Sequence, residues 1–315
     1  MTRSRTALAA LAATALGGVT ALSACGGGGG DDPLAGASAT TAASGQIVVG
    51  SANFPESELL MDIYAGALEA KGMQVSTKPN IGSRETYIPG LKDGSINLVP
   101  EYTGVLAQYF AKDAGKKVSG TTSDEVYTEL KSVLPQGMTV GAKSAAEDKD
   151  AVVVTKETAD TYKLKTIADL APVAGQMVLG GPAEWKTRET GVPGLKSIYN
   201  LTFKEFKALD SGGPLTVQAL KNGQVQAANL FTTDPNIAAN GFVPLEDPKS
   251  MFAAQNVVPL MAASASTPQV TQALDAVSAK LTTEQLAAMV TQVVIDKKDA
   301  EDVADEFLQK NGLGG

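Results

Sequence analysis

The sequence predicts an α/β protein built from two similar lobes. Strand and helix signals alternate after residue 45: residues 47–50 are typical of a short buried strand, an apolar helical stripe follows over residues 58–71, and residues 75–78 indicate the next strand. This alternation favours helices layered on a mainly parallel sheet. Roughly 270 of the 315 residues remain for the globular part, which is enough for two lobes of ordinary size.

An internal echo is the second observation behind this prediction. Residues 81–104 align without gaps with residues 210–233, at an offset of 129. Each copy indicates a helix that ends at a left-handed glycine, Gly94 or Gly223, and continues into a strand. The plain alternative is that helix–glycine–strand units recur in any α/β protein.

The echo also places two aromatic residues at equivalent positions. The pairs Tyr102-Thr103 and Phe231-Thr232 lie at the same distance beyond the two glycines. Open parallel sheets bind ligands at the carboxyl ends of their strands. The two pairs are therefore candidate ligand contacts, one in each lobe, with simple core packing as the alternative for both aromatic residues.

The N-terminus predicts export and a lipid anchor. Arg3 and Arg5 precede an apolar run over residues 7–19, and Leu-Ser-Ala-Cys at residues 22–25 resembles the lipobox of bacterial lipoproteins. We expect a signal peptide over residues 1–24 and lipidation of Cys25, which would hold the protein on the outer face of the cell membrane. An ordinary secretory signal with a chance cysteine is the alternative.

The segment after the lipobox predicts a flexible tether. Residues 25–45 are rich in Gly, Ala, Ser and Thr and contain almost no apolar bulk to bury. Cys25 is the only cysteine, so the chain cannot form an internal disulfide.

Charge and composition exclude several function classes. Loss of two arginines with the signal peptide would take the net charge from −8 to −10, which argues against a nucleic-acid partner. The chain has no histidine, and therefore no Ser-His or Cys-His pair and no histidine ligand for zinc. We expect no cofactor, no metal and no enzyme activity. The alternatives are an enzyme that uses carboxylates such as Glu101 and Asp234, and an adhesive surface lipoprotein.

Several motifs resemble one protein family in order and spacing. They are Gly50-Ser51-Ala52-Asn53-Phe54, Gly82-Ser83, Pro100-Glu101-Tyr102-Thr103-Gly104, Arg188-Glu189-Thr190-Gly191-Val192-Pro193-Gly194-Leu195 and Thr232-Thr233-Asp234. The chain resembles the osmoprotectant-type substrate-binding proteins of ABC importers, the ProX-like binders of glycine betaine, choline and carnitine.

The resemblance implies a type II periplasmic-binding-protein fold, in which two crossovers join two α/β lobes around a ligand cleft. It assigns residues 46–146 and 258–315 to lobe 1, residues 147–250 to lobe 2, and residues 251–257 to the second crossover. It also implies a small-molecule ligand, an ABC permease with its ATPase subunits as partners, and a monomer.

By the same resemblance, Tyr102 and Phe231 are aromatic walls for a quaternary ammonium, and Arg188 binds a ligand carboxylate. For Arg188 the alternative is a surface ion pair. The full set of expected ligand contacts is Ala52, Asn53, Tyr102, Thr103, Asp150, Arg188, Phe231, Thr232 and Gln255.

This chain departs from the family at three of these positions. Ala52 stands where Lys or Gln is frequent, and Asp150 and Gln255 stand where wall tyrosines are expected. Asp150 then pairs with Arg188, binds the ligand directly, or faces solvent. The polar positions also favour an alternative ligand for the same fold, a hydroxyl-rich or aromatic compound. Trp185 is either a cleft residue or part of the core.

Overall fold

The structure is a computed structural model that describes residues 45–315. The predicted signal peptide over residues 1–24, the lipidated Cys25 and all but the last residue of the tether lie outside the described residues. Within residues 45–315, no helix has both the length and the apolar character that a membrane crossing requires.

The described chain alternates strands and helices. The strands are β1 (Ile47–Gly50), β2 (Val75–Lys78), β3 (Leu98–Tyr102), β4 (Met138–Val140), β5 (Asp150–Thr155), β6 (Val178–Pro182), β7 (Glu205–Leu209), β8 (Ala227–Phe231), β9 (Phe242–Pro244) and β10 (Val257–Ala262). The α-helices are α1 (Pro55–Glu69), α2 (Arg84–Asp93), α3 (Thr103–Asp113), α4 (Ser123–Val133), α5 (Lys156–Tyr162), α6 (Val192–Tyr199), α7 (Pro214–Lys221), α8 (Pro235–Ala239), α9 (Pro268–Ser278), α10 (Thr283–Val294) and α11 (Ala300–Lys310). Short 3₁₀ helices span Ile167–Leu170, Ala174–Gln176, Ala183–Lys186 and Ala263–Ala265.

The strands form two five-stranded sheets with equivalent topology. The first has the order β2-β1-β3-β10-β4 and the second the order β7-β6-β8-β5-β9. We refer to the first sheet with α1–α4 and α9–α11 as lobe 1, and to the second sheet with α5–α8 as lobe 2. Two mixed α/β sheets built in this way are the expected fold class.

The expectation of mainly parallel sheets is only half right. β1 and β6 pair in parallel with both of their neighbours, but β10 is antiparallel to β3 and β4, and β5 is antiparallel to β8 and β9. β5 and β10 are the strands that begin directly after the chain passes from one lobe to the other, so each enters its new sheet from the cleft side.

The internal echo corresponds to equivalent elements of the two lobes. β3 and β8 are related by the same offset, and Tyr102 and Phe231 are their last residues. Gly94 and Gly223 have φ angles of 80° and 67°, the left-handed conformation that favours glycine after a helix. The echo therefore describes a repeated helix–strand unit.

Helix α1 begins three residues before its predicted start. Pro55 occupies the first helical turn, where its fixed φ angle suits the helix and its missing N–H is not needed. Glu56 and Glu58 add negative charge at the positive end of the helix dipole. This start matters for function because it places Phe54 and Glu56 at the edge of the cleft.

Apolar side chains cover both faces of each sheet. In lobe 1 one cluster packs α1 and α9–α11 against the sheet, and a second fills the face under α2–α4. In lobe 2 two further clusters cover the two faces in the same way. Each lobe therefore has its own core, and the strand ends at the cleft are left for other contacts.

The two crossover segments lie side by side. Glu147 bridges to Asn256, the Asp148 N–H donates to the Gln255 carbonyl oxygen at 3.2 Å, and the Val257 N–H donates to Ala146 at 3.0 Å. Val257, which the sequence places in the second crossover, is already the first residue of β10.

Asp62 on α1 makes stability depend on pH. Burial, followed by the charges of Glu58, Glu301, Asp299 and Asp305, raises the pKa of Asp62 to about 7. The ordinary pKa of an aspartate is about 4, so the folded protein loses stability as pH rises from about 4 to about 7.

We expect Asp62→Asn to raise the thermal midpoint at pH 8 and to leave it nearly unchanged at pH 4. Asp62 is only half-buried and therefore partly screened by solvent, so the gain is no more than about 1 kcal/mol, or roughly 2–4 °C in a protein of this size. Calorimetry across pH measures this shift, with the exposed Glu69→Gln on the same helix as control. An equal shift at both pH values would contradict the assignment.

Candidate functional site

A cavity lies between the lobes at the facing ends of β3 and β8. It encloses about 60 Å³, room for several water molecules, and both lobes line it. Six of the nine expected contacts line it: Ala52, Asn53, Tyr102, Asp150, Arg188 and Phe231. We call this space the central cavity.

Aromatic rings from both lobes contribute to its walls. The ring of Phe54 lies between the other two, with centroids 5.2 Å from Phe231 and 6.3 Å from Tyr102. Trp185 adds a further wall; it is 1% exposed and stacks on Phe252 at 6.2 Å. Trp185 therefore belongs both to the core and to the cleft. Phe54 and Trp185 supply aromatic surface that the family resemblance assigns to tyrosines at positions 150 and 255.

A buried ion pair supports the floor of the cavity in lobe 1. Arg84 donates through two nitrogens to the Glu101 carboxylate at 2.7 and 2.6 Å, and the Tyr87 hydroxyl donates to the same carboxylate at 2.5 Å. Glu101 is fully buried. Its oxygens are occupied by these donors, so the arrangement gives Glu101 no free base function.

Arg188 forms an ion pair across the cleft. Its guanidinium donates to both carboxylate oxygens of Glu85 in lobe 1, at 3.1 and 2.7 Å, and lies 3.7 Å from Glu184. Burial acts to raise the pKa of Glu85, but the hydrogen bonds and charge of Arg188 lower it to about 2. The Glu85 carboxylate therefore stays ionised at neutral pH. In this structure Arg188 forms an ion pair, as in the alternative to ligand binding given above.

Asp150 faces the cavity from the first residue of β5, directly beside Phe231 in the register. Asn229 donates to its Oδ1 atom at 2.7 Å, and no lysine or arginine of residues 45–315 forms a salt bridge with it. Burial raises the pKa of Asp150, whereas the Asn229 bond and the charges of Arg188 and Arg84 favour its carboxylate. Asp150 therefore forms no salt bridge with Arg188 here, and its side chain is only partly exposed.

Asn229 also presents an unused acceptor at this wall. The residue is fully buried, and its Oδ1 atom has no hydrogen-bond partner among the described residues. A buried polar atom without a partner costs about 1–3 kcal/mol, which a ligand donor would recover.

Two remaining expected contacts, Thr103 and Gln255, lie behind the cavity wall. The Thr103 hydroxyl donates to Ala254 at 3.2 Å, and Gln255 Oε1 accepts from the first turn of α3, from Gly104 at 3.1 Å and Val105 at 3.0 Å. A Cβ atom on Gly104 would lie 2.7 Å from the Ala254 oxygen, which explains glycine there. These side chains join α3 to the second crossover.

Thr232 is likewise directed away from the cavity. Its hydroxyl donates to Asp148 at 3.1 Å and accepts from the Lys149 N–H at 2.9 Å. β8 ends at Phe231, and Thr232 lies in the turn that follows, where these bonds direct its hydroxyl to the first crossover. The aromatic residue of each echoed pair lines the cavity and the threonine does not.

Several cavity residues were absent from the expected set. They include Phe54, Arg84, Tyr87, Trp185 and Asn229. Phe54 and Trp185 follow strand ends or glycine-rich turns, a signal that the sequence does contain. Arg84 and Asn229 give no such signal, because their places depend on long-range partners.

A second, larger cavity adjoins the first behind Phe54 and Phe231. It encloses about 270 Å³, and Glu56, Asp148 and Asp234 line it together with valines of α10. Of the aromatic residues at the central cavity, Phe54 and Phe231 also line this larger one, whereas Tyr102 and Trp185 do not.

We expect Glu101→Gln to lower the free energy of unfolding by about 3–5 kcal/mol, because it leaves the Arg84 charge buried and unpaired. Asp160→Asn, which breaks the exposed pair of Asp160 with Lys156, is the matched control and should cost less than about 1 kcal/mol. Chemical denaturation measures both. Equal, small effects would show that Glu101 does not carry the Arg84 charge.

Two curated relatives have small-molecule ligands in their names, and one of them has a length similar to that of this chain. The chain is 25% identical over 282 residues to the glycine betaine-binding protein YehZ of Escherichia coli, covering 86% of this chain and 92% of that protein. It is also 25% identical over 271 residues to the ergothioneine transport permease/ergothioneine binding protein EgtU of Helicobacter pylori, covering 85% of this chain and 48% of that longer protein.

The fold is shared with solved structures of transport proteins. A crystal structure of a glycine betaine/carnitine/choline ABC transporter protein superposes with a TM-score of 0.64 at 22% identity, covering 85% of this chain and 99% of that one. The architecture is the type II periplasmic-binding-protein fold, and the relatives are binding components rather than enzymes. A family model described as the substrate-binding domain of the ABC-type glycine betaine transport system matches residues 45–310, and the chain belongs to this family of ABC-transporter substrate-binding proteins.

Proposed function

We propose that the protein captures a quaternary-ammonium compound in the central cavity and delivers it to an ABC permease. The observation that carries the proposal is the set of aromatic walls, Phe54 and Tyr102 from lobe 1 and Phe231 and Trp185 from lobe 2, around one cavity with the Asp150 carboxylate. A quaternary ammonium has no N–H to donate, so aromatic faces and a nearby negative charge are what can hold it.

The ion pairs favour a ligand with net positive charge within this class. Arg188 is bound to Glu85 and Arg84 to Glu101, so a ligand carboxylate would have to displace one of these partners. It would also meet the Asp150 carboxylate, which has no cationic partner among the described residues. A choline-type monocation meets neither obstacle, whereas the Arg188 assignment from the family favours a betaine.

Delivery follows from closure of the lobes. Arg188 and Glu85 lie on opposite lobes, and so do Phe54 and Phe231, so a ligand between them joins both lobes at once. A permease that contacts both lobes would distinguish the closed, loaded form from an open one. Such recognition couples ligand capture to transport.

A hydroxyl-rich or aromatic ligand is the second candidate. The unpartnered Oδ1 of Asn229 calls for a hydrogen-bond donor, which trimethylammonium lacks. The similarity to an ergothioneine-binding protein also supports testing ergothioneine as a ligand.

We expect choline to bind at least tenfold more tightly than 3,3-dimethylbutan-1-ol, its uncharged isostere. Each aromatic wall adds about 0.5–2 kcal/mol for the cation only. Phe231→Leu, which keeps apolar bulk and removes the ring, should weaken choline binding by about 2- to 30-fold. Calorimetry with choline, glycine betaine, carnitine and ergothioneine ranks the ligands.

Asp150→Asn tests the charge argument. It should weaken choline binding about tenfold or more and leave glycine betaine equal or improved, while Asp160→Asn, the same charge change on the exposed surface of lobe 2, changes neither. If glycine betaine binds best and Arg188→Ala abolishes its binding, the protein recognises the carboxylate of the ligand, and the hypothesis of a choline-type monocation is wrong. If none of the quaternary compounds binds, the second candidate replaces the first.

We further propose that Cys25 carries the lipid anchor. The support is the Leu-Ser-Ala-Cys sequence and the spacer that follows it, which would give the lobes reach from the membrane surface. Cys25→Ala should move the protein from the membrane fraction to the medium or to an uncleaved precursor, as fractionation and N-terminal mass measure. Wild-type protein that begins at another residue and is found in the medium would contradict this.

A further inference from the structure

Glu56 connects the two lobes directly. It is the second residue of α1 in lobe 1 and is 4% exposed. One of its oxygens accepts from the Tyr102 hydroxyl at 2.6 Å, and the other accepts from the Thr233 hydroxyl of lobe 2 at 2.6 Å. One carboxyl group therefore orients an aromatic wall of the central cavity and holds the opposite lobe.

Asp148 lies beside this bridge, in the first crossover. It is also 4% exposed, and its Oδ1 atom accepts from the Thr233 N–H at 2.9 Å and from the Thr232 hydroxyl at 3.1 Å. Thr233 thus donates to both carboxyl groups, through its N–H to Asp148 and through its hydroxyl to Glu56. The two buried acids lie side by side at the end of the cleft where the two crossover segments join the lobes, which we call the hinge.

No cation neutralises this pair among the described residues. From β3, Tyr102 is uncharged and Glu101 is paired with Arg84; from the loop before α8, Asp234 adds a further acid. In the hinge, Lys149 pairs with Glu147 at 3.5 Å. Lys297, after α10, lines the adjoining cavity and forms no salt bridge with either acid.

Two carboxylates in one buried site cannot both stay ionised at ordinary pH. Burial, and then the charge of Glu56, raises the pKa of Asp148 well above its usual range, and burial raises the pKa of Glu56. Separation of the lobes would remove Thr233 from Glu56 and hydrate both groups, which returns them to pKa values of about 4.

We propose that Glu56 and Asp148 share one proton only when the lobes are closed, so that closure of the cleft takes up a proton from solvent. Glu56 is then a positioning residue that holds the closed lobes together, and we call the protonated pair of Glu56 and Asp148 the proton latch. The proton bound between the two acids removes one negative charge from the closed site and is released when the cleft opens. No other reactant is needed.

The sign of the pH effect follows from the direction of uptake. The closed form binds more protons than the open form, so closure is favoured as pH falls and is weakened as pH rises above about 4. In the pH range in which the closed pair holds one proton and the open pair holds none, the affinity for a ligand that closes the lobes falls by up to about tenfold for each unit that the pH rises. The ligand-dependent part of this inference rests on the proposed function.

Calorimetry tests the proposal with choline as the probe at pH 6, 7 and 8, in buffers of different ionisation enthalpy. We expect net uptake of up to about one proton per choline bound, and weaker binding at pH 8 than at pH 6. Glu56→Gln places a neutral amide in the same volume, so uptake should vanish and affinity should become independent of pH. Thr233→Val removes the hydroxyl donor that joins the lobes and favours the Glu56 carboxylate, so it should weaken choline binding without reducing uptake.

Asp62→Asn is the matched control. Asp62 titrates on the same helix but faces acids of α11 rather than the cleft, so proton uptake on binding should be unchanged. Wild-type binding whose enthalpy is independent of the buffer at all three pH values would overturn the proposal, as would uptake retained in Glu56→Gln.

Small-angle X-ray scattering of the ligand-free chain separates this inference from the choice of ligand. The radius of gyration of wild type should fall between pH 8 and pH 5, as protonation favours closure, and that of Glu56→Gln should not change. If choline fails to bind while scattering shows this difference, the ligand assignment is wrong and the proton latch stands. A wild-type radius that is constant across pH would overturn the latch.

Discussion

The site depends on the antiparallel pairing of two strands that each arrive from the opposite lobe. β10 enters the first sheet beside β3, and β5 enters the second sheet beside β8. The register sets Val257 opposite Tyr102 and Asp150 opposite Phe231. Because β5 and β10 start where the crossovers end, the hinge and the cavity walls are built from one continuous set of backbone hydrogen bonds. A slip of one residue would turn every side chain on these strands to the other face.

Electrostatics decides what the cavity can accept once these walls are in place. Both arginines at the cavity already hold carboxylate partners, one buried within lobe 1 and one across the cleft. The aromatic rings add negative faces, and the Trp185 indole N–H adds a donor toward Asp150. Asp150 is then the one lining acid of the described chain without a cation within salt-bridge distance, and it lies where solvent screening is weak. Under the proposed function, neutralisation of that charge would contribute to the binding free energy of a cationic ligand.

The sequence predicted more of the fold than of the site. Hydrophobic periodicity and the internal echo indicated two α/β lobes, and strand ends were found because turn glycines mark them. Mixed strand direction was missed because the pairing of β5 and β10 depends on contacts between residues far apart in the chain. Among the expected contacts, Thr103, Thr232 and Gln255 do not line the central cavity and form hydrogen bonds at the two crossover segments. A polar side chain next to a wall residue has the composition of a ligand contact, and only its partners distinguish the two roles.

We propose that aromatic rings of both lobes enclose the cationic group of the ligand. A crystal structure of the protein grown with choline would test this. We expect the ammonium nitrogen within about 6 Å of the ring centroids of Phe54, Tyr102 and Phe231, with Asp150 as the nearest carboxylate. Choline bound instead in the larger adjoining cavity, or an empty central cavity at saturating choline, would contradict it.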